Sequence, residues 1–264
     1  MNIKFLGTGS AFTLKNFQTN FIIERNNKKL LIDAGGDIRF SLAEAGMSYK
    51  DINAIYISHL HTDHCGGIEF LGFCTYFDPS MKEKIQLFGN SELLRKGWLD
   101  SWKGGMESIQ GKNMTLDSFF DLNMIKQNGK FIWEDIEFSI VQSVHVMNGY
   151  ALMPSYGLMA KDPETNKTIF ITTDCQFCPS QIIDFYKQAD FIIQDCETTT
   201  FKSGVHANFS DLITLPLDIK KKMVLTHYQD NILCEDGINT EWKFKASSEG
   251  FIGFAKKGEN FNFQ

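Results

Sequence analysis

His59-Leu60-His61-Thr62-Asp63-His64 places three histidines and one aspartate within six consecutive residues. The whole chain has only six histidines, so half of them lie in this segment, which we call the histidine motif. Neutral imidazole and carboxylate are the usual protein ligands of a catalytic zinc ion or a similar divalent metal. The histidine motif therefore predicts a metal site.

The residues around the histidine motif predict how its side chains are directed. The segment before it, residues 54–58, is apolar and β-branched except for Ser58, and it predicts a buried strand. Because side chains two apart on extended chain point to the same side, we expect His59 and His61 to face one metal. Asp63 and His64 are expected to open an apolar helix over residues 66–77 and to face a second metal.

Three further candidate ligands each follow a short run of apolar or β-branched residues. They are His145 after residues 141–144, Asp174 after residues 168–173, and His227 after residues 222–226. In α/β folds, ligands bind beyond the carboxyl ends of strands, so four strand ends are expected to bring these side chains together. For each residue alone, helix capping or packing in the core is an equal alternative.

The chain resembles the metallo-β-lactamase-fold hydrolases along nearly all of its length. Asn2-Ile-Lys-Phe-Leu-Gly-Thr-Gly-Ser10 resembles the opening strand and glycine turn of that family. Leu30-Leu-Ile-Asp-Ala-Gly-Gly36 resembles its third strand and the turn that follows. The histidine motif and the three further candidate ligands then occur in the family's order. The resemblance implies an α/β (α+β) fold, the four-layer αββα sandwich.

The resemblance also implies that seven ligands are divided between two divalent metal ions. His59, His61 and His145 would hold one ion, Asp63, His64 and His227 the other, and Asp174 would bridge both. Histidine and aspartate accept zinc, manganese and iron, so we expect Zn²⁺, with Mn²⁺ or Fe²⁺ as alternatives.

Composition predicts one globular domain over residues 1–264, because hydrophobic residues are 43% and charged residues 22% of the chain. The amino terminus lacks the pattern of a signal peptide, and no segment approaches the ~20 apolar residues that span a bilayer. We therefore expect a cytoplasmic protein with no membrane partner and no disulfide framework among its six cysteines. The net charge of −6 argues against binding of long nucleic acid.

Within the fold family, the chain resembles the branch that includes tRNase Z, a tRNA 3′-processing endonuclease, and cyclic-nucleotide phosphodiesterases. The resemblance lies in residues 5–10, in residues 189–197, and in Leu225-Thr-His-Tyr228. In this branch an extra histidine ahead of the last ligand acts as a proton donor, and His206 holds that position. The alternative is that His206 only precedes a helix that begins near Ser210.

In the tRNA enzymes, a long arm is inserted in the sequence between the residues that match His145 and Asp174. This arm grips the tRNA. Here we predict only a hairpin, with residues 156–160 paired to residues 168–172. The expected substrate is therefore a small phosphodiester such as a cyclic nucleotide, hydrolysed by metal-bound hydroxide. Asp63 would orient or deprotonate the water, and His206 would protonate the leaving group.

Other functions use the same ligand set. They are tRNA 3′-end processing, hydrolysis of a lactone or another carboxylic ester, a phosphodiesterase of phosphonate or cofactor biosynthesis, and a non-enzymatic metal-dependent sensor.

The resemblance implies a homodimer. Residues 251–263 are expected to form a closing hairpin. The aromatic and methionine residues between the histidine motif and His145 predict core or dimer contacts, with a base-stacking wall as the alternative.

Overall fold

The computed structural model describes residues 1–263, and its strands form two seven-stranded sheets and two small ribbons. The strands are β1 (Asn2–Gly7), β2 (Asn20–Arg25), β3 (Lys28–Ile32), β4 (Ala54–Ile57), β5 (Gln86–Asn90), β6 (Ser108–Ile109), β7 (Lys112–Asn113), β8 (Asp121–Ile125), β9 (Lys130–Trp133), β10 (Ile136–Met147), β11 (Leu152–Lys161), β12 (Thr168–Ile171), β13 (Phe191–Asp195), β14 (Met223–Thr226), β15 (Leu233–Cys234), β16 (Gly237–Ile238), β17 (Gly253–Phe254) and β18 (Asn260–Asn262).

Ten α-helices within residues 1–263 connect these strands. They are α1 (Ile38–Glu44), α2 (Thr62–Cys65), α3 (Ile68–Phe77), α4 (Ser91–Gly97), α5 (Lys103–Met106), α6 (Leu116–Phe119), α7 (Pro179–Gln188), α8 (Phe209–Leu212), α9 (Leu217–Lys220) and α10 (Thr240–Glu249). None of the described helices is long and apolar enough to cross a membrane.

The two large sheets stack with helices outside them. The first sheet has the order β18-β1-β2-β3-β4-β5-β8, and the second has the order β17-β14-β13-β12-β11-β10-β9. One apolar core contains residues of both sheets, such as Phe5 and Phe138. Helices α1 and α4 contact the first sheet, and α7 and α10 contact the second. The predicted αββα sandwich is confirmed.

The first three residues of β13 are apolar, and the structure shows why, whereas its last two, Gln194 and Asp195, are polar. Phe191 and Ile193 face the core between the sheets, whereas Ile192 faces the second core, beneath α7. Successive side chains of a strand point to opposite faces, so the part of a central strand that is covered on both sides has apolar residues on both faces. That the whole chain is one domain remains a prediction, and its last residue, Gln264, lies outside the described residues.

The helix predicted over residues 66–77 is wrong at its start, because α2 and α3 are separate helices. The break falls at Gly66 and Gly67, which lie against backbone. A Cβ on Gly67 would be 2.7 Å from the carbonyl oxygen of Gly35. Close approach of the turn after β3 thus requires glycine here and ends α2 after one turn.

The closing hairpin predicted over residues 251–263 is also wrong. Strand β17 runs parallel to β14 in the second sheet, and β18 runs antiparallel to β1 in the first. The segment therefore joins the edges of the two sheets. Phe261 fixes this crossing, because its ring contacts Phe5 at 6.0 Å and Phe191 at 5.1 Å between centroids.

Two other predictions about the chain between the candidate ligands are confirmed. Strand β11 pairs antiparallel with β12 around the turn at residues 162–167, as predicted for this hairpin. The aromatic and methionine residues after the histidine motif belong to the core or pack against it. They are Trp98, Trp102, Met106, Met114, Phe119 and Phe120. The base-stacking alternative is not supported, because these side chains pack inside the protein.

Candidate metal centre

The predicted ligands converge where central strands of the two sheets end. The histidine motif follows β4, Asp174 lies three residues after β12, and His227 directly follows β14. His145 differs from its prediction, because it lies inside β10 and not after the strand's end. The pairing of β10 with β11 shifts register between Val144 and Val146. Such a bulge redirects one side chain, and here that side chain is His145.

Three residues at these strand ends have left-handed backbone. The φ angles are 60° at Asp33, 52° at Thr173 and 62° at His227. This region is uncommon for residues other than glycine and is concentrated at functional sites. The sharp turns direct the chain after β3, β12 and β14 across the ends of the sheets.

His59, His61 and His145 form what we call the first half-site. The Nδ1 atom of His61 lies 3.1 Å from Nε2 of His59 and 3.0 Å from Nε2 of His145. Nitrogens bound to one tetrahedral zinc at ~2.0–2.1 Å lie about 3.3 Å apart, so these three rings fit a single ion. Asp174 Oδ2 completes the group, at 3.7 Å from Nε2 of both His59 and His145.

Asp63, His64 and His227 form the second half-site. Oδ2 of Asp63 lies 3.2 Å from Nε2 of both histidines. Asp174 reaches this group too, with Oδ1 3.2 Å from His64 Nε2 and Oδ2 3.5 Å from His227 Nε2. The buried Nε2 of His64 therefore faces two carboxylate oxygens at 3.2 Å, but within residues 1–263 neither contact has the geometry of a hydrogen bond. Two histidine nitrogens and two carboxylates that converge without good hydrogen bonds between them are a donor set that fits a divalent ion.

The histidines of the first half-site are held neutral. Burial lowers the pKa values of His59, His61 and His145, because it disfavours the charged form. Neighbouring rings lower the pKa values of His59 and His61 further. Neutral imidazole is the form that binds metal, so these three residues are prepared for an ion.

The second half-site is dominated by carboxylates. Burial opposes a charge on its histidines, but Asp174 and Asp63 raise the pKa of His64 well above its usual value. Asp174 and Asp195 likewise raise the pKa of His227 to about 10. The paired histidines in turn lower the pKa values of Asp63 and Asp174 despite their burial. The half-site therefore attracts positive charge, which a divalent cation would supply.

Second nitrogens of the candidate ligands are fixed by groups behind them. Nδ1 of His64 lies 2.7 Å from Oδ2 of Asp33, which also accepts from the Ser58 hydroxyl at 2.7 Å. Nδ1 of His59 lies 3.0 Å from the Ser58 hydroxyl. Nδ1 of His145 lies 2.9 Å from the Val205 carbonyl oxygen. Such partners fix the ring orientation and tautomer of metal-binding histidines.

His206 lies beside the second half-site. Its Nδ1 is 2.9 Å from Oδ2 of Asp195 and 3.8 Å from Oδ2 of Asp174, and its ring stacks on His227 at 4.8 Å between centroids. Burial opposes protonation, but the carboxylates of Asp195 and Asp174 raise the pKa of His206. The side chain is 16% exposed, whereas the His227 side chain is only 2% exposed. With Nδ1 on Asp195, Nε2 is the nitrogen available to a substrate.

Sequence reasoning gave no role to Asp33 and Asp195, although both adjoin the site. Each lies at the carboxyl end of a strand, Asp33 after β3 and Asp195 as the last residue of β13. The same signal identified the other ligands, so it was available for these two. The helix predicted to begin near Ser210 begins at Phe209, but its capping residue is Asn208, whose side chain accepts from the Ser210 amide at 3.0 Å.

Known proteins resemble this chain over most of its length. The family model for Anti-Pycsar protein Apyc1 matches residues 1–261. The chain is 30% identical over 235 residues to Anti-Pycsar protein Apyc1 of Paenibacillus xerothermodurans, covering 88% of this chain and 89% of that protein. It resembles the metallo-β-lactamase fold protein YhfI from Bacillus subtilis, with a TM-score of 0.71, 16% identity and 98% of each chain covered. Zn²⁺-bound PqqB from Methylobacterium extorquens is similar over 100% of each chain, with a TM-score of 0.73 and 13% identity.

Proposed function

The chain belongs to the Anti-Pycsar protein Apyc1 family and is a hydrolase, and from that premise we propose that it is a dinuclear metal-dependent phosphodiesterase. Its substrate would be a small phosphodiester such as a cyclic nucleotide. The observation that carries this proposal is the pair of adjoining half-sites that share Asp174. We propose Zn²⁺ in both half-sites, with Mn²⁺ or Fe²⁺ as alternatives that the ligands accept.

The roles of the protein groups follow from their positions. When bound, the two ions would activate water at neutral pH and stabilise charge on the phosphoryl oxygens. Asp63, whose Oδ2 lies 3.2 Å from Nε2 of both His64 and His227, would orient or deprotonate the attacking water. His206 would donate a proton from Nε2 to the departing sugar oxygen, while Asp195 holds its Nδ1.

The His206–Asp195 pair supports a substrate with an alkoxide leaving group, such as a phosphodiester of a sugar. Departure of a sugar alkoxide needs a proton, and a histidine held by a carboxylate is suited to supply it. His206 lies close enough to Asp174 and His227 to act beside the metal ligands.

The connections between His145 and Asp174 support a small substrate. Within residues 145–174 the chain forms the end of β10, then β11 and β12, with short turns between them. This leaves no segment that could form an arm for tRNA, and the net charge of −6 also disfavours a long nucleic acid. We further propose that the protein is a homodimer, and sedimentation velocity should then give the mass of two chains. The cytoplasmic location remains a prediction.

A hydrolysis panel on the metal-loaded protein tests the proposed function. It compares bis-p-nitrophenyl phosphate, 2′,3′- and 3′,5′-cyclic nucleotides, precursor tRNA and an acyl-homoserine lactone. We expect the cyclic nucleotides to be the best substrates and precursor tRNA to be poor. The Asp174→Ala variant, purified in parallel, controls for contaminating hydrolases. Specific cleavage at a tRNA 3′ end, or a preference for the lactone, would overturn the proposal.

A further inference from the structure

We infer that Glu197 is a positioning residue that holds the loop over residues 198–208, and that this loop couples the first half-site to the proton donor. We call this segment the clamp loop. The inference rests on the proposed function for its catalytic readout, but the loop's geometry stands on its own. Within residues 1–263, the Glu197 carboxylate bonds to the loop itself and to none of the seven candidate metal ligands.

Glu197 closes the clamp loop from the inside. Its side chain is buried, and both carboxylate oxygens accept from the backbone amide of Ser203, at 3.2 and 3.1 Å. Oε2 also accepts from Nδ2 of Asn208 at 3.1 Å. Its backbone amide donates to the Ala207 carbonyl oxygen, and its carbonyl oxygen accepts from the Phe209 amide, both at 2.9 Å. One residue thus fixes both the middle and the end of the loop.

The clamp loop carries two groups that serve different parts of the site. The carbonyl oxygen of Val205 accepts from His145 Nδ1 and so orients a ligand of the first half-site. The next residue, His206, is the proposed proton donor beside the second half-site. Ser203 connects them to Glu197, because its hydroxyl accepts from the Val205 amide at 3.3 Å. A shift of the Ser203 amide therefore moves both groups.

The carboxylate suits this task better than an amide would. Two N–H donors face its two oxygens, the Ser203 amide, which both oxygens share, and Nδ2 of Asn208, which Oε2 accepts. A glutamine has the same shape, but one of its two positions is an NH₂ group that would face an N–H donor. A buried carboxylate is costly unless it is well satisfied, so these bonds identify a residue whose benefit lies in fixing the loop.

The first arm of the test measures the loop without turnover. In Glu197→Gln, amide hydrogen exchange over residues 199–206 should become roughly tenfold faster or more, since exchange reports local opening. Loss of the fixed Val205 carbonyl should weaken the metal ion of the first half-site, which His145 would hold, by roughly 10–100-fold in a calorimetric titration. His206→Ala should change neither quantity much, because it removes the proton donor and leaves the loop in place.

The second arm measures the leaving-group dependence of kcat. Glu197→Gln should slow a substrate with an alkoxide leaving group roughly tenfold or more, and a nitrophenolate substrate less, because only the alkoxide needs a proton. Lys202→Met is the matched control. It removes the ion pair between Lys202 on the clamp loop and Asp211 in α8, leaves the contacts of the Glu197 carboxylate in place, and should behave as wild type.

Asn208→Asp repeats the test if Glu197→Gln does not fold. It keeps the oxygen that accepts from the Ser210 amide, but it replaces the Nδ2 donor to Glu197 with a second acceptor. Normal exchange, or faster exchange with an unchanged leaving-group ratio and unchanged metal affinity, would overturn the inference. If the wild type hydrolyses no phosphodiester, the proposed function fails, while exchange and metal affinity still decide whether Glu197 holds the loop.

Discussion

The two half-sites contain similar ligands but differ in the groups behind them. In the first, His59 and His145 are backed by neutral oxygens, the Ser58 hydroxyl at 3.0 Å and the Val205 carbonyl at 2.9 Å. In the second, His64 is backed by the Asp33 carboxylate at 2.7 Å. His227 lies 3.4 Å from the Asp195 carboxylate. Carboxylate partners raise the basicity of a ligating imidazole, so the second half-site should bind its ion more tightly.

The difference shows how one fold can give two adjoining sites different metal affinities. Burial is nearly complete for His59 and His64, yet the pKa of His59 is lowered and that of His64 is raised. The change of sign comes from the carboxylates around His64, not from the depth of the site. Similar ligands can therefore give two ions different affinities through the residues behind them.

Asp174→Ala should have the largest effect, because it removes the one group common to both half-sites. Elemental analysis of the wild type should find close to two divalent ions per chain, and the variant should lose occupancy at both positions and lose turnover with it. If the variant still carries two ions, Asp174 is not a metal ligand and the two half-sites are independent of each other.

His206→Ala should have the next largest effect, and it separates chemistry from metal binding. The variant should keep both ions, while kcat for an alkoxide leaving group falls by roughly 10²–10⁴. A weakly basic nitrophenolate departs without a proton, so kcat for a nitrophenolate substrate should fall less. Equal slowing of both substrates would rule out protonation of the leaving group. A sharp drop in melting temperature with little change in kcat would instead favour the structural role at the start of α8.

Asp33→Asn tests the difference in metal affinity between the two half-sites. The substituted amide would keep the shape of the side chain but remove the charge behind His64, so the tighter ion should bind roughly 10–100-fold more weakly. The two affinities would then approach each other in a competition titration with a chelator. If the weaker ion loses affinity and the tighter one does not, the assignment of affinities to the half-sites is reversed.

The sequence allowed the seven candidate ligands to be predicted because each lies near a recognisable apolar run. The position of His145 inside β10 was not predictable in the same way, because its bulge depends on the partner strand β11. The support from Asp195 depends on His206 and His227, which are 11 and 32 residues further along the chain. The error over residues 251–263 has the same origin, since local pattern does not reveal which sheet edge is open to each strand.

Ser58→Ala should have the smallest effect of these variants, and it tests the link between the half-sites. The Ser58 hydroxyl donates to Asp33 Oδ2 at 2.7 Å and can then accept from His59 Nδ1 at 3.0 Å. Asp33 keeps the Ser58 backbone amide as a donor at 2.8 Å, so its own position should hold. His59 instead loses the hydroxyl that fixes its Nδ1. We therefore expect the weaker ion to lose less than about tenfold in affinity, and the tighter ion to change less still. Titration of both ions decides this, because a larger loss for the tighter ion would show that the hydroxyl acts through Asp33 and His64, not through His59.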